Sequence, residues 1–242
     1  MTALGFLYPG HRAEDDYPRI EQLLGSDIRV DLIHTDPGED TREPAALREL
    51  GSAERFAEGV EALRLTGAET VVWASAGGGF VHGLAGAQEQ VRTLARLAGM
   101  PASSTSFGFV NAARELGVRR VAVAAAYPED LAGLFTDFLR AGGLEVTGPR
   151  SPAAAPAEVA GWGREEVLAL ARAADTPDAQ AVLLPDTALH TAAHLGVLEK
   201  ALAKPVLTAS QVTVWEALRL ADRRVNAPTL GSLFTREPLV QV

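Results

Sequence analysis

The sequence predicts an α/β protein whose parallel sheet is covered by helices on both faces. Short runs of aliphatic and β-branched residues recur along the 242-residue chain, and longer segments with helical spacing separate them. Most of the runs are largely apolar, which is typical of strands that are buried on both faces. Their alternation with helices indicates a doubly wound arrangement.

Seven apolar runs are predicted strands. In chain order they are "LGFLY" (4–8), "IRVDLIH" (28–34), "TVVWAS" (70–75), "RVAVAAA" (120–126), "LEVTG" (144–148), "AVLLP" (181–185) and "PVLTA" (205–209).

The helical segments between these runs have recognisable ends. Segment 52–67 begins at a serine, ends at a glycine and carries Phe56, Val60 and Leu63 at helical spacing. Segment 129–143 follows a proline and ends in a glycine pair. The pattern "TVVWASAGGGFVHGLAG" resembles a later one, "AVLLPDTALHTAAHLGV". Such a repeat fits two similar lobes but also arises by chance, so the pattern does not decide between a single sheet and two lobes.

Composition excludes several classes of function. The formal net charge is -9 and basic residues are scattered, which argues against a nucleic-acid groove. There is no run of 18 apolar residues and no signal-peptide pattern, so we expect a cytoplasmic protein without a membrane span. Cysteine is absent, which excludes disulfides, thiolate metal sites and cysteine nucleophiles. The histidines show no metal-binding spacing, and no metal site is expected.

Ligands of open parallel sheets bind beyond the carboxyl ends of the strands, where helices begin. Four segments lie at such ends: "YPGHRAEDD", "SAGGGF", "AAYPED" and "PDTALHT". Within the second, the N–H groups of Gly77 to Gly79 offer a nest for a carboxylate or phosphate. A flexible turn before a helix explains the same glycines. Their spacing does not fit a dinucleotide-binding loop.

Two side chains at these ends have two interpretations each, and a third, Ser75, raises the question of a hydrolase. Asp186 directly follows a buried strand. It is either a catalytic group that donates or accepts a proton, or the residue that caps the next helix. Tyr127 is either a ligand-binding group or a core aromatic. Ser75, Asp186 and His190 follow the chain order of a serine hydrolase triad, but Trp73 replaces a glycine that the nucleophile turn requires.

Taken in order, these segments resemble the aspartate/glutamate racemase superfamily, within it the branch of maleate cis-trans isomerases and arylmalonate decarboxylases. "LGFLYPG", "WASAGGGFVHG", "VAVAAAYPEDL" and "LLPDTALHT" match the strand-end turns, and "LEKALAKPVLTASQVTVWEALRLA" matches the C-terminal strand and helix. The resemblance implies two Rossmann-like lobes related by a pseudo-two-fold axis, with a cleft between them. We expect residues 1–112 and 211–242 in the first lobe and 113–210 in the second.

The resemblance also implies the site. Family members hold a substrate carboxylate without cofactor or metal, and cysteines flank the substrate carbon; here Ser75 and Asp186 stand at the two cysteine positions. Asp186 can transfer protons, whereas a serine needs a base beside it to act as a nucleophile. The expected substrate-binding residues are Tyr127, Ala76, Gly77, Gly78, Gly79, Thr187, His190, Pro9, Gly10 and His11.

The leading interpretation is a cofactor-free isomerase, racemase or decarboxylase that transfers protons at carbon in a small carboxylic acid. Asp186 is its acid or base and Ser75 is a polar orienting group. The alternatives are a carboxylate-binding descendant without catalysis and a serine hydrolase. The oligomeric state is left open, and a homo-oligomer is compatible with this interpretation.

Overall fold

The computed structural model describes residues 1–10, 12–35, 42–148 and 153–235, and within them the chain forms two four-stranded parallel sheets. The first sheet consists of β1 (Thr2–Pro9), β2 (Ile28–Thr35), β3 (Thr70–Trp73) and β4 (Ala102–Ser104). The second consists of β5 (Arg120–Val123), β6 (Glu145–Thr147), β7 (Ala181–Leu184) and β8 (Val206–Thr208).

The two sheets have the same topology, with strand orders β2-β1-β3-β4 and β6-β5-β7-β8. The echoed sequence segments contain β3 and β7, which occupy equivalent places in the two sheets. The predicted α/β class and the two-lobed arrangement are therefore confirmed.

Helices connect and cover the strands. They are α1 (Asp16–Leu24), α2 (Pro44–Leu50), α3 (Ala53–Arg64), α4 (Gly77–Phe80), α5 (Gly83–Ala98), α6 (Thr105–Glu115), α7 (Glu129–Ala141), α8 (Pro156–Ala160), α9 (Arg164–Ala174), α10 (Leu195–Leu202) and α11 (Ala209–Leu220). Two 3₁₀ turns, Pro228–Leu230 and Ser232–Phe234, follow α11.

Each of the seven apolar runs overlaps a strand, but β4 is absent from the sequence-based prediction. Its residues Ala102, Ser103 and Ser104 lack the β-branched, apolar character on which that prediction depends. The strand forms because its backbone pairs in parallel with β3. Tertiary pairing thus supplies what local preference does not.

Three apolar clusters fill the interior, and their membership follows the alternation of side chains along the strands. The central cluster includes Phe6 and Val72 of the first sheet and Val121 and Leu183 of the second. The outer faces of the two sheets pack against their own helices in separate clusters. The lobes therefore share one continuous core.

Helix α11 follows the last strand of the second sheet but packs on the first lobe, where it contacts α6, β3 and β4. Its buried Glu216 accepts hydrogen bonds from Ser103 and Asn111 and pairs with Arg219. The division of the chain at residues 112/113 and 210/211 stays a prediction.

Among the described helices, none combines the length and the apolar character that a membrane crossing requires.

Candidate active site

Asp186 lies at the carboxyl end of β7, where the chain leaves the second sheet. The residue is only 4% exposed. The N–H of Ala188 donates to Asp186 Oδ1 at 3.1 Å, and the N–H of Leu189 donates to the Asp186 carbonyl oxygen at 3.2 Å. The carboxylate thus closes a local turn. It does not cap a helix, because the next helix, α10, begins at Leu195, and Oδ2 interacts with a different group.

That group is Arg42, which belongs to the first-lobe segment between β2 and α2. Its Nη2 lies 2.5 Å from Asp186 Oδ2 in an ion pair whose side chains are 10% and 5% exposed. Nη1 donates to the carbonyl oxygens of Ala126 and Ala154. The guanidinium carbon lies 5.2 Å from the centre of the Tyr127 ring, which is cation–π range. Arg42 therefore crosses from one lobe to the other at the strand ends.

The charge state of Asp186 depends on two opposed effects. Burial raises the pKa of the Asp186 carboxyl above its ordinary value, because the charged form loses hydration. The Arg42 guanidinium, the Ala188 N–H and the charge of Arg12 lower that pKa, because each stabilises the carboxylate. A buried carboxyl held between such effects can gain or lose a proton when its surroundings change.

Tyr127 is buried beside this pair. Its hydroxyl donates to the carbonyl oxygen of Pro185 at 2.9 Å, and its ring packs 5.9 Å from the Phe80 ring of the first lobe. Burial and the nearby charge of Asp186 raise the pKa of Tyr127 well above its usual value, so the hydroxyl keeps its proton. The residue is both a core aromatic and a neighbour of Asp186.

The glycine-rich turn of the first lobe forms α4, which makes it more ordered than a flexible turn. Ser75 is 4% exposed, and its Oγ accepts the N–H of Gly78 at 3.0 Å. The N–H of Gly79 donates to the Ala76 carbonyl oxygen at 3.0 Å, and Ser106 Oγ donates to the same oxygen at 2.7 Å. The N–H groups of Gly78 and Gly79 are therefore engaged within the turn in this structure.

Close packing explains why glycines occupy this turn. A Cβ at Gly78 would lie 2.8 Å from Trp73 Nε1, and one at Gly79 would lie 2.5 Å from Ser106 Oγ. Gly77 is less enclosed, since a Cβ there would lie 3.3 Å from Leu47 Cδ1. The sequence predicted that these glycines let the backbone approach a ligand closely. In the structure they also let α4 pack closely on Trp73 and Ser106.

The loop after β1 approaches Asp186 from the first lobe. Tyr8 donates its hydroxyl to the Thr187 carbonyl oxygen at 3.2 Å and accepts the N–H of Ala13 at 3.1 Å. Burial raises the pKa of Tyr8 to about 12. Pro9 and Gly10 follow, and Gly10 adopts φ 93°, a conformation that favours glycine. His11, a predicted binding residue, lies outside the described residues.

His190 turns towards the first lobe. Its Nδ1 lies 2.8 Å from Asp15 Oδ1. Among the hydrogen bonds of the described residues, none joins Ser75 to His190, so the contact on which a hydrolase triad depends is not formed in this structure.

Asp16, next to Asp15, is a buried carboxylate that the sequence-based reasoning did not single out. Its Oδ2 accepts hydrogen bonds from Thr191 N–H at 2.9 Å, Ala192 N–H at 3.1 Å, Ser210 Oγ at 2.7 Å and Thr191 Oγ1 at 3.3 Å. The first-lobe helix α1 thereby fixes the segment that follows Asp186. No sequence signal distinguishes Asp16 from its exposed neighbour.

The structure thus gathers Asp186, Thr187, Tyr127 and the loop after β1, and adds Arg42 to them. Within the described ranges, no group of three or more histidine, aspartate or glutamate side chains is arranged to hold a metal ion. The site therefore consists of a buried acid with an adjacent guanidinium and hydroxyl groups, a set suited to binding anions and moving protons.

Comparison with known proteins gives consistent matches. The profile of the arylmalonate decarboxylase family matches residues 50–234. Arylmalonate decarboxylase of Bordetella bronchiseptica is 34% identical over 142 residues, which span 56% of this chain and 58% of that protein. The match thus covers little more than half the length of that relative.

Solved structures extend the similarity to the whole fold. A liganded double mutant of arylmalonate decarboxylase matches with a TM-score of 0.83 and 26% identity, over 97% of this chain and 99% of that chain. A maleate isomerase variant of Pseudomonas putida S16 with maleate matches with a TM-score of 0.85 and 19% identity, over 97% of each chain. A maleate cis-trans isomerase mutant of Nocardia farcinica, with a covalently bound succinylcysteine intermediate, matches with a TM-score of 0.87 and 20% identity. This match covers 98% of this chain and 99% of that chain.

Proposed function

Since the chain belongs to the arylmalonate decarboxylase family, we propose that it is a cofactor-free enzyme that decarboxylates a small malonate-type acid, with Asp186 as the proton donor to carbon. The single observation that carries the proposal is the buried Asp186 carboxyl at the end of β7, between charged and hydroxyl groups of both lobes.

Decarboxylation balances with one acid. The bond between the substrate carbon and one carboxylate breaks, carbon dioxide leaves, and the electron pair passes into the remaining carboxylate as an enediolate. Asp186 donates its proton to the carbon and is protonated again from solvent. Burial favours the protonated form of Asp186, which is the form that this step uses.

Racemisation requires a proton-transfer group on each face of the carbon, and Ser75 is poorly suited to be the second. Its Oγ accepts the N–H of Gly78, and among the described residues no histidine or carboxylate pairs with it to act as its base. We assign Ser75 the role of orienting α4 and presenting a hydroxyl to the substrate. Decarboxylation needs no second proton-transfer group, which favours it over racemisation and isomerisation.

The remaining residues hold the substrate. Tyr127 and Thr187 supply polar groups beside Asp186, and the backbone of Ala76 and Gly77 lies at the start of α4 on the first lobe. Pro9, Gly10, His11 and His190 belong to the surrounding loops, and Gly78 and Gly79 complete the turn. Oriented donors in a site with little water stabilise an enediolate more strongly than they would in water.

A second candidate is a carboxylate-binding protein without catalysis. The Arg42–Asp186 ion pair favours it, because a carboxylate paired with a guanidinium is a poor acid, whereas the guanidinium can bind a ligand carboxylate. The two candidates differ in whether a bond to carbon changes.

Proton NMR in deuterium oxide distinguishes them with three compounds: 2-methyl-2-phenylmalonate for decarboxylation, aspartate for racemisation and maleate for isomerisation. We expect 2-phenylpropionate with one deuterium at its α carbon. Asp186→Asn should lose this product and Asp15→Asn should keep it. Absence of any reaction with all three compounds, or full activity in Asp186→Asn, would contradict the proposal. Deuterium exchange into aspartate would indicate racemisation, and formation of fumarate from maleate would indicate isomerisation. Either result would replace decarboxylation as the proposed reaction.

A further inference from the structure

Arg42 contacts Asp186 through an ion pair at the carboxyl end of β7. The side chain is 10% exposed, and its contacts come from the second lobe although its own segment leads into α2 of the first. Two carbonyl oxygens, of Ala126 and Ala154, hold one end of the guanidinium, and Asp186 holds the other. The two ends therefore have different kinds of acceptor.

We propose that Arg42 binds the carboxylate of the substrate in exchange for Asp186, and that Asp186 then takes up one proton from solvent and becomes the acid. This inference rests on the proposed function, in which Asp186 donates that proton to carbon. Binding of the substrate would thereby prepare the acid that acts on it.

The geometry of the guanidinium supports this exchange. Its planar set of donors matches the two oxygens of a carboxylate, so a substrate carboxylate is an equivalent acceptor to Asp186. The carbonyls of Ala126 and Ala154 do not titrate, and they keep Arg42 in place while Nη2 changes its partner. The Tyr127 ring, 5.2 Å from the guanidinium carbon, supports the same position.

The other charged and polar groups around Asp186 determine its protonation once Arg42 has changed partner. Arg12 remains as a cation near the carboxyl, and Ala188 N–H remains as a donor. Tyr127 and Tyr8 are neutral hydroxyls held on the carbonyl oxygens of Pro185 and Thr187. His190 is occupied by Asp15.

Burial is already the largest influence on the pKa of Asp186. With Arg42 engaged elsewhere, one opposing cation is lost, and an incoming substrate anion adds to the effect of burial. Both disfavour a second negative charge, so Asp186 takes up a proton. The charge balances: one anion and one proton enter, and Arg42 has a carboxylate partner before and after.

Isothermal titration calorimetry tests the exchange without catalysis. Phenylsuccinate and maleate carry their two carboxylates on different carbons, so neither is a malonate-type substrate. Each is titrated into the full chain in buffers of different ionisation enthalpy, at several pH values, and the dependence of heat on buffer gives the protons taken up. We expect the wild type to take up as much as about one proton per ligand in the pH range where free Asp186 is ionised. Asp186→Asn should bind without uptake.

Arg42→Met should bind about 10- to 100-fold more weakly, because charge-assisted hydrogen bonds are lost, and without uptake, because Asp186 is already protonated. Arg42→Lys keeps the charge and tests the same contact in a variant with a smaller perturbation of the fold. Arg92→Met, at an exposed arginine of α5, is the matched control and should behave as the wild type. Circular dichroism verifies that each variant is folded.

Binding without proton uptake at every pH, or uptake that persists in Asp186→Asn, would overturn the exchange and leave the carboxylate site intact. Unchanged affinity in both Arg42 variants would likewise exclude Arg42 as a ligand. If the wild type binds neither phenylsuccinate nor maleate and does not decarboxylate 2-methyl-2-phenylmalonate, the proposed function fails, and this inference fails with it. If it decarboxylates that acid but binds neither ligand, only the exchange is overturned.

Discussion

Replacing Asp16 with alanine is predicted to destabilise the protein strongly, although Asp16 has no assigned role in the proposed reaction. Its Oδ2 accepts four hydrogen bonds, from the backbone and hydroxyl of Thr191, the N–H of Ala192 and the hydroxyl of Ser210. Alanine would leave these buried donors without their acceptor. Each hydrogen bond to a charged group contributes about 1.5–3 kcal/mol, and bonds that share one oxygen add less than independently.

We therefore expect Asp16→Ala to lose about 3–5 kcal/mol of unfolding free energy, comparable to breaking a buried charged network. For a chain of this length that loss corresponds to a decrease in Tm of about 6–20 °C. Asp16→Asn keeps one oxygen acceptor and should lose about 1–2 kcal/mol. Urea unfolding followed by circular dichroism measures both.

Asp15→Asn is the matched control. The neighbouring side chain of Asp15 is 66% exposed, and its contact with His190 lies near the surface. We expect a change within about 1 kcal/mol for this control. A loss of less than about 1 kcal/mol in Asp16→Ala would refute the idea that Asp16 fixes the segment after Asp186. Buried donors that are left without an acceptor should alone cost more than that.

Three further predictions concern the glycine turn and the first-lobe tyrosine. Gly78→Ala should cost about 1–3 kcal/mol because its Cβ would lie 2.8 Å from Trp73 Nε1. Gly133→Ala, which meets nothing within 4 Å, should instead gain about 0.5–1 kcal/mol; equal urea midpoints for the two would contradict the packing argument. Ser75→Ala should lose about 0.5–2 kcal/mol of stability with the Gly78 contact. Its turnover should fall less than the roughly 100- to 10,000-fold expected for an acid–base group, and a larger fall would make Ser75 a reacting residue. Tyr8→Phe should flatten alkaline unfolding: the Tyr8 pKa of about 12 exceeds its unfolded value, so the wild type loses stability as pH rises between the two values. That loss is about 1.4 kcal/mol per pH unit, and an unchanged slope in Tyr8→Phe would show that other groups govern it.

The fold could be predicted in large part because local sequence and tertiary structure agree there. β3 and β7 are buried at every residue and almost entirely apolar, as is typical of strands covered on both faces. Their shared pattern reflects equivalent positions in two sheets. β4 could not be predicted, because its Ala-Ser-Ser sequence becomes a strand only through pairing with β3. The two-lobed division followed from the family resemblance and not from hydrophobic periodicity.

The candidate site was predictable where it depends on strand ends and unpredictable where it depends on long-range reach. Asp186 and Tyr127 each follow a buried strand, and the edge of a parallel sheet brings them together. Arg42 follows no strand directly and acts across the lobes, so no spacing in the sequence reveals it. Asp16 and Asp15 are identical in type and adjacent, and only the tertiary structure buries one of them.

The optical purity of the product tests the central claim most directly. Decarboxylation of 2-methyl-2-phenylmalonate creates a stereocentre when the proton arrives, and chiral chromatography separates the two 2-phenylpropionates. If Asp186 delivers the proton from one wall, the wild type yields one enantiomer in excess, and Asp186→Asn loses the reaction. A racemic product, or the same enantiomer at the same rate in Asp186→Asn, would contradict Asp186 as the proton donor.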